Sequence, residues 1–228
     1  MALRIVLIAT LSASVMLAQA GNPLTIDRLT LKDVVAEAVQ HGGRPAIRLL
    51  EPDKSRNTLG LAVIAGSTFR DGTISVEVAG RRGPYAVPDD RGFVGVAFRV
   101  SPDAARFEYV YLRPDNGRAN DQVRRNHSVQ YASHPDFPWP RLRKEFSEKY
   151  ESYVDLEPGV WTRMRVVVSG TTARLFVHDA AQPTLVVNDL KLGPAEGAVA
   201  LWIGPGTEGF FSNLTVSLKR QRVSDASP

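Results

Sequence analysis

The sequence predicts an all-β fold, a sandwich or a barrel of short strands. Three observations carry that expectation. Short runs rich in β-branched and aromatic residues recur along the chain, among them Ile74-Ser75-Val76-Glu77-Val78 and Phe107 to Leu112. Gly, Pro, Asn and Asp separate these runs, as turns separate the strands of a sandwich. The length of 228 residues suits one such domain better than two small ones, and a domain of that size buries a core without staples.

The chain opens with a leader. Arg4 supplies a short positive region, Ile5 to Leu17 is apolar except for Thr10, Ser12 and Ser14, and Ala18-Gln19-Ala20 is a small-x-small cleavage site. Residues 1–20 therefore read as a secretory signal peptide, Gly21 as the mature N-terminus, and the destination as periplasmic or secreted. The apolar run is shorter than the roughly 20 residues of a spanning helix, and no later segment spans a bilayer. Cysteine is absent, which excludes disulfides and a lipid-modified cysteine at the cleavage site and fits a bacterial envelope.

The body of the domain occupies residues 21–218. Asp33 to Gln40 reads either as a helix capped by Asp33 or as the first arm of a hairpin that turns at His41-Gly42-Gly43 and returns along Ile47 to Leu50. The neighbouring strands and the Gly pair, which supplies positive φ, favour the hairpin. Asp71-Gly72 turns the chain into Thr73. Phe93 to Val100 is apolar until Arg99 interrupts it. Trp161 to Val168 places Met164, Val166 and Val168 on one face and Arg163 and Arg165 on the other. Ser169-Gly170-Thr171-Thr172 is a tight turn. Leu175 to Val177, Leu185 to Val187, Val199 to Ile203 and Leu214 to Leu218 complete the strands, and 219–228 is a basic polar tail. Trp161 and Trp202, inside strands, are expected to serve sheet packing.

The formal charge is +4. Arg4 leaves with the leader, and Lys219, Arg220 and Arg222 lie in the tail, so the folded body is near neutral. It shows no basic stripe, and nucleic acid is not expected as a partner.

The irregular stretch lies between Arg113 and Trp161. It lacks sustained alternation, holds Pro135, Pro138 and Pro140 close together, and reads as one long loop of the functional kind. Five of the six tyrosines (Tyr109, Tyr111, Tyr131, Tyr150 and Tyr153) fall on it or on the strand that feeds it, with Phe137, Trp139 and Phe146 beside them.

Several segments together resemble a known group. Phe69-Arg70-Asp71-Gly72-Thr73-Ile74, then Gly159-Val160-Trp161, Ala173 to Val177, Gly197 to Trp202 and Phe211-Ser212-Asn213-Leu214 follow the order found in the concanavalin A-like lectin/glucanase superfamily, including its laminin-G-like domains. The outline is similar to that of bacterial 3-keto-disaccharide hydrolase domains and covers roughly residues 30 to 218. The resemblance implies a two-sheet antiparallel jelly-roll sandwich, one sheet of it concave and often sugar-binding. It implies no function by itself. The paired glutamates of laminarinase-type members and the clustered calcium ligands of legume-type lectins have no equivalent here.

The candidate site joins two strands to the long loop. Arg99, Tyr109, Tyr111, Arg113, Asn116, Asn126, Gln130, Tyr131 and Trp139 form the ligand-binding set. Aromatic faces cover the C–H surface of a pyranose, and Arg, Asn and Gln supply paired hydrogen bonds to hydroxyls. Arg113, fixed in extended geometry by Pro114, is expected to contact the ligand and to be dispensable for folding. Glu151, His127 and His134 are the candidates for proton transfer, with Glu108, Asp136, Asp155 and Glu208 as further acids. A normal glycosidase needs two carboxyl groups across the bond, and no pair stands out; a keto-sugar lyase, by analogy with the resembling family, works with one base. Glu151 reads more readily as a partner to a site arginine, and the set has a structural alternative, an apron with Arg99 and Arg113 paired to acids such as Glu108 or Glu151. His127 and His134 do not match a metal-ligand spacing, so no metal or other cofactor is assigned. Two functions lead: a lectin-like carbohydrate-binding protein, and a hydrolase or lyase acting on sugars. A structural interaction domain is the third. The sugar, its linkage and the oligomeric state are not written in these residues.

Overall fold

The computed structural model describes residues 24–54 and 59–219. The leader and all of the basic tail except Lys219 fall outside the described residues. A single 3-10 turn, Ile26–Arg28, precedes the first strand. The elements then run β1 (Leu29–Lys32), β2 (Val35–His41), β3 (Arg44–Leu50), β4 (Gly60–Ile64), β5 (Gly72–Arg82), β6 (Val94–Val100) and β7 (Phe107–Leu112). Two short helices follow, α1 (Pro114–Gly117) and α2 (Gln122–Asn126), then β8 (Val129–His134), α3 (Trp139–Glu145) and β9 (Glu151–Ser152). The chain closes with β10 (Thr162–Ser169), β11 (Thr172–Val177), β12 (Leu185–Val187), β13 (Ala198–Ile203) and β14 (Thr207–Leu218).

The strands form two seven-stranded sheets. The front sheet has the order β1-β4-β13-β6-β7-β8-β9, the back sheet β12-β11-β10-β5-β14-β3-β2, and the pairs in both are antiparallel. This is the jelly-roll sandwich read from the sequence. The hairpin reading of Asp33 to Leu50 holds: β2 and β3 pair from Val35↔Leu50 to His41↔Arg44, and Gly42 and Gly43 take φ of 55° and 78° at the turn. The tight turn at Ser169–Thr172 also stands, with Gly170 at φ 58°.

The stretch from Arg113 to Trp161 is not one loop. It holds three short helices, one full strand and a two-residue strand. β8 lies between β7 and β9 and is buried on both faces, so its sequence carries no apolar–polar alternation. β1 and β4 were likewise not singled out by sequence; β4 is a short apolar run and β1 an edge strand.

Cross-strand neighbours share a face, so the pairing fixes which side chains meet. Val94, Val96, Val110, Leu112, Leu201 and Ile203 of the front sheet face the back sheet, where Val94 lies against Gly80 and Ile203 against Gly209. That inter-sheet layer is the main core.

Arg99 ties the two sheets at one end of this core. It sits where the β6–β13 register shifts, at φ 55°, a left-handed conformation that a residue with a Cβ adopts at some cost. The bulge turns its side chain into a fully enclosed position. There the guanidinium donates to the carbonyls of Arg70 (2.9 and 3.1 Å), Gly170 (2.7 Å) and Gly193 (2.6 Å), and to Asp71 Oδ1 at 3.3 Å. Burial draws its pKa down, opposed by the charges of Glu108 and Asp71.

Removal of this guanidinium leaves three carbonyls and Asp71 without its hydrogen bonds. Arg99→Met is expected to lose about 3–5 kcal/mol in urea unfolding, and Arg99→Lys to recover less than half, because a compact ammonium cannot span a fork's acceptors. An unchanged midpoint in Arg99→Met would refute the clamp.

Candidate functional site

The outward face of the front sheet carries a continuous cross-strand row. Lys32, Leu61, Trp202, Gly95, Tyr111, Gln130 and Glu151 are successive partners across all seven strands. Gly95 is required at its centre: a Cβ there would sit 2.2 Å from the Val110 carbonyl oxygen and 2.7 Å from Tyr111 Cβ. The missing side chain lets the Trp202 and Tyr111 rings meet above it at 4.7 Å. Tyr109 stacks on Tyr111 at 5.6 Å and leans on Trp202 at 5.1 Å, and Phe107 and His134 extend the ring series.

The face is curved. Lys32 at the β1 edge and His134 on β8 line one cavity of about 210 Å³ with Leu61 and Phe107, although four strands separate them in the sheet. Lys32 also reaches across to donate to the Ala104 carbonyl at 3.1 Å. Tyr109, Tyr111 and Trp202 are consequently no more than 5% exposed. The Trp202 indole N–H is buried without a partner among the described residues.

At the β9 end of the row the polar groups lock onto one another. Arg113 donates to the His127 carbonyl (3.0 Å), Glu151 Oε1 (3.2 Å), the Tyr111 hydroxyl (3.0 Å) and Gln130 Oε1 (3.1 Å). Gln130 spends its amide N–H groups on the Tyr131 and Tyr150 carbonyls. Arg143 grips Glu151 from the other side with its Nε (2.9 Å) and Nη2. Burial works against ionisation of Glu151, but hydrogen bonding from Arg143 and the charges of Arg113 and Arg143 outweigh it and hold the carboxyl below its usual range. His127 Nε2 lies 3.6 Å from Glu151, and burial pulls the imidazole below its ordinary value despite that carboxylate. Burial, followed by the charge of Lys32, does the same to His134.

The site residues expected from sequence are thus sorted by the fold. Tyr109, Tyr111, Arg113, Gln130 and Trp139 come together, with Glu151 and His127. Asn116 joins through the shared His127 carbonyl, to which its amide donates at 3.1 Å, and its own Oδ1 is buried and unpartnered among the described residues. Arg99 belongs to the inter-sheet clamp. Tyr131 pairs with Val110 and points into the core, where its hydroxyl donates to Glu108 at 2.5 Å. Asn126 is exposed on α2, bonded to Gln122. His134 lies at the opposite end of β8 from His127, about 20 Å along the strand. No described group of His, Cys, Asp or Glu could hold a metal ion.

Arg113 corrects its sequence reading. It was expected to project freely toward a ligand, but β8 and β9 fold Gln130 and Glu151 against it, and it is 4% exposed. Sequence reasoning missed Arg143. Pro140 at the start of a helix was the available signal, because it begins α3 and puts Arg143 one turn after Trp139 on the same face. Trp139 is 42% exposed, and the guanidinium carbons of Arg143 and Arg113 lie 4.7 and 5.7 Å from its ring centre.

Neither a protein-family model nor a curated protein sequence matches the chain. Solved structures do resemble it in fold. The carbohydrate-binding module CBM66 of Bacillus subtilis aligns at TM-score 0.58 and 12% identity over 83% of this chain and 94% of that one. A Bacillus subtilis protein of unknown function with a galectin-like fold aligns at 0.56 and 9% identity, over 86% and 92% of the two chains. A putative glycosyl hydrolase of Parabacteroides distasonis aligns at 0.51 and 9% identity, over 85% and 94%. The chain therefore shares the two-sheet jelly-roll fold of these structures.

Two outcomes follow from the Arg113–Glu151–Arg143 network. Arg113→Ala is expected to cost about 2–3 kcal/mol, read as a lower urea midpoint, because Glu151 and Gln130 lose a buried donor. Glu151 has a folded pKa below its unfolded value of about 4.3, so its contribution is present above that pH and drains as pH falls through the folded value. The stability gap between the parent and Glu151→Gln should be wide at pH 7 and narrow progressively below about pH 4.

Proposed function

We propose that this chain is an exported, lectin-like carbohydrate-binding β-sandwich whose ligand rests on the outer face of the front sheet at its β8–β9 edge. The observation that carries this reading is Trp139. It is a large aromatic left 42% exposed, set against two guanidinium groups that a buried carboxylate holds in place. A ring of this kind covers the apolar face of a sugar, and the flanking Arg143 and His127 offer polar atoms to its hydroxyls. The neighbours of similar fold include a carbohydrate-binding module, which supports the same reading by analogy.

Binding is favoured over glycosidic chemistry by the state of the carboxyl groups. A general acid must hold its proton near neutral pH. Glu151 is kept ionised by two arginines. Burial does raise the Glu108 carboxyl, opposed by hydrogen bonds from Tyr131 and the Leu192 N–H, but that side chain faces the core.

A glycan array with the mature protein, followed by calorimetric titration of the strongest binder, tests the reading. Trp139→Ala is expected to weaken binding at least tenfold while its melting temperature stays within a few degrees of the parent. An array without a bound glycan, or a Trp139→Ala protein that binds like the parent, would overturn it.

A further inference from the structure

A second exposed aromatic lies on the same edge of the front sheet. Tyr153 follows β9, two residues after Glu151 and about 7 Å farther along extended chain. Like Trp139 it is 42% exposed, and like Trp139 it has a guanidinium of its own. Arg125 of α2 lies 5.0 Å from its ring centre and donates to its hydroxyl at 2.7 Å. The ring borders a hollow of about 440 Å³ whose other walls are Ala119, Asn120, Asp121, Gln122 and Arg125. Amide, carboxylate and guanidinium groups beside one aromatic face are the chemistry that recognises a polyhydroxylated ring. The Tyr153 hollow does not include Trp139, and the two rings use different arginines, so these are two platforms and not two walls of one pocket. The Arg143–Glu151 pair and His127 form the stretch that joins them.

Resting on the glycan-binding reading above, we propose that the ligand is an oligosaccharide recognised along its length, one sugar on Trp139 and another in the hollow beside Tyr153. The geometry gives each end of the ligand its own stacking surface. The ion-paired cluster between them is already satisfied internally, so it presents a rigid polar surface to the intervening unit. A single terminal sugar would use the Trp139 platform alone, and a longer chain gains the second contact without a new binding event, as linked sites do.

The test is a length series. The strongest array ligand, prepared as fragments of one to six sugars, is titrated into the parent and into Tyr153→Ala and Tyr153→Phe, with melting temperatures recorded for each. In the parent, affinity is expected to rise at least tenfold between the shortest and the longest fragments. Tyr153→Ala should collapse that ratio, and Tyr153→Phe, which keeps the ring and loses the hydroxyl, should keep most of it. A parent affinity independent of length, or a Tyr153→Ala protein with the parent's ratio, overturns the extended ligand while leaving Trp139 binding intact. A parent that binds no glycan at all overturns both readings.

Discussion

The enclosed guanidinium of Arg99 is the constraint on which the rest of the sandwich depends. Two sheets held by apolar contact alone are free to slide, because the hydrophobic effect has no direction. Arg99 adds direction. Its donors reach the approach to β5, the β10–β11 turn and the segment before β13, so one side chain of the front sheet fixes the position of the back sheet's turns. Glu108, on the neighbouring strand, fixes the same segment from the other side through the Leu192 N–H and Tyr131. Tyr131 in turn accepts from the Lys191 N–H. The two opposite charges moderate each other's burial. A conformational cost at φ 55° is accepted at Arg99 because the alternative leaves three loop carbonyls without donors inside the protein.

With the sheets fixed, the outer face of the front sheet becomes a rigid surface. Its central row runs from Lys32 to Glu151 and is anchored at one end by the Arg113–Glu151–Arg143 network. That network uses both oxygens of one carboxylate, four hydrogen bonds from Arg113 and two from Arg143. Such a cluster is suited to holding a shape and poorly suited to moving protons, since the Glu151 carboxyl is held below its usual range and stays charged near neutral pH. Burial holds His127 and His134 below the ordinary imidazole value, which favours their neutral form on this face. At the β8–β9 edge the rings of Trp139 and Tyr153 stand out, each 42% exposed, beside the internally paired groups.

Much of the fold was legible because it rests on local chemistry. The Gly42-Gly43 pair set the first hairpin, Gly170 set the β10–β11 turn, and alternating runs such as Ile74 to Val78 announced strands with one buried face. The reading failed where local pattern is silent. β8 is buried on both faces, with Gln130 and Ser133 satisfied inside the protein, so its polar residues looked like loop residues. The three helices are too short for an apolar period to repeat.

By itself the sequence determined the strand-rich character, the absence of covalent staples and the gathering of aromatics around residues 107–153. Those properties follow from composition and from neighbours a few residues apart. Tertiary structure alone decided what each side chain faces. A period of two says that Tyr109 and Tyr111 share a side, but only pairing with β6 and β8 says that the side looks away from the core while Tyr131 looks into it. A bulge in one ladder turned Arg99 inward, and two strands folding over Arg113 made a free-looking arginine a buried one. Register and strand partners join residues far apart in the chain, and no local preference encodes which distant strand will supply the other half of a hydrogen bond.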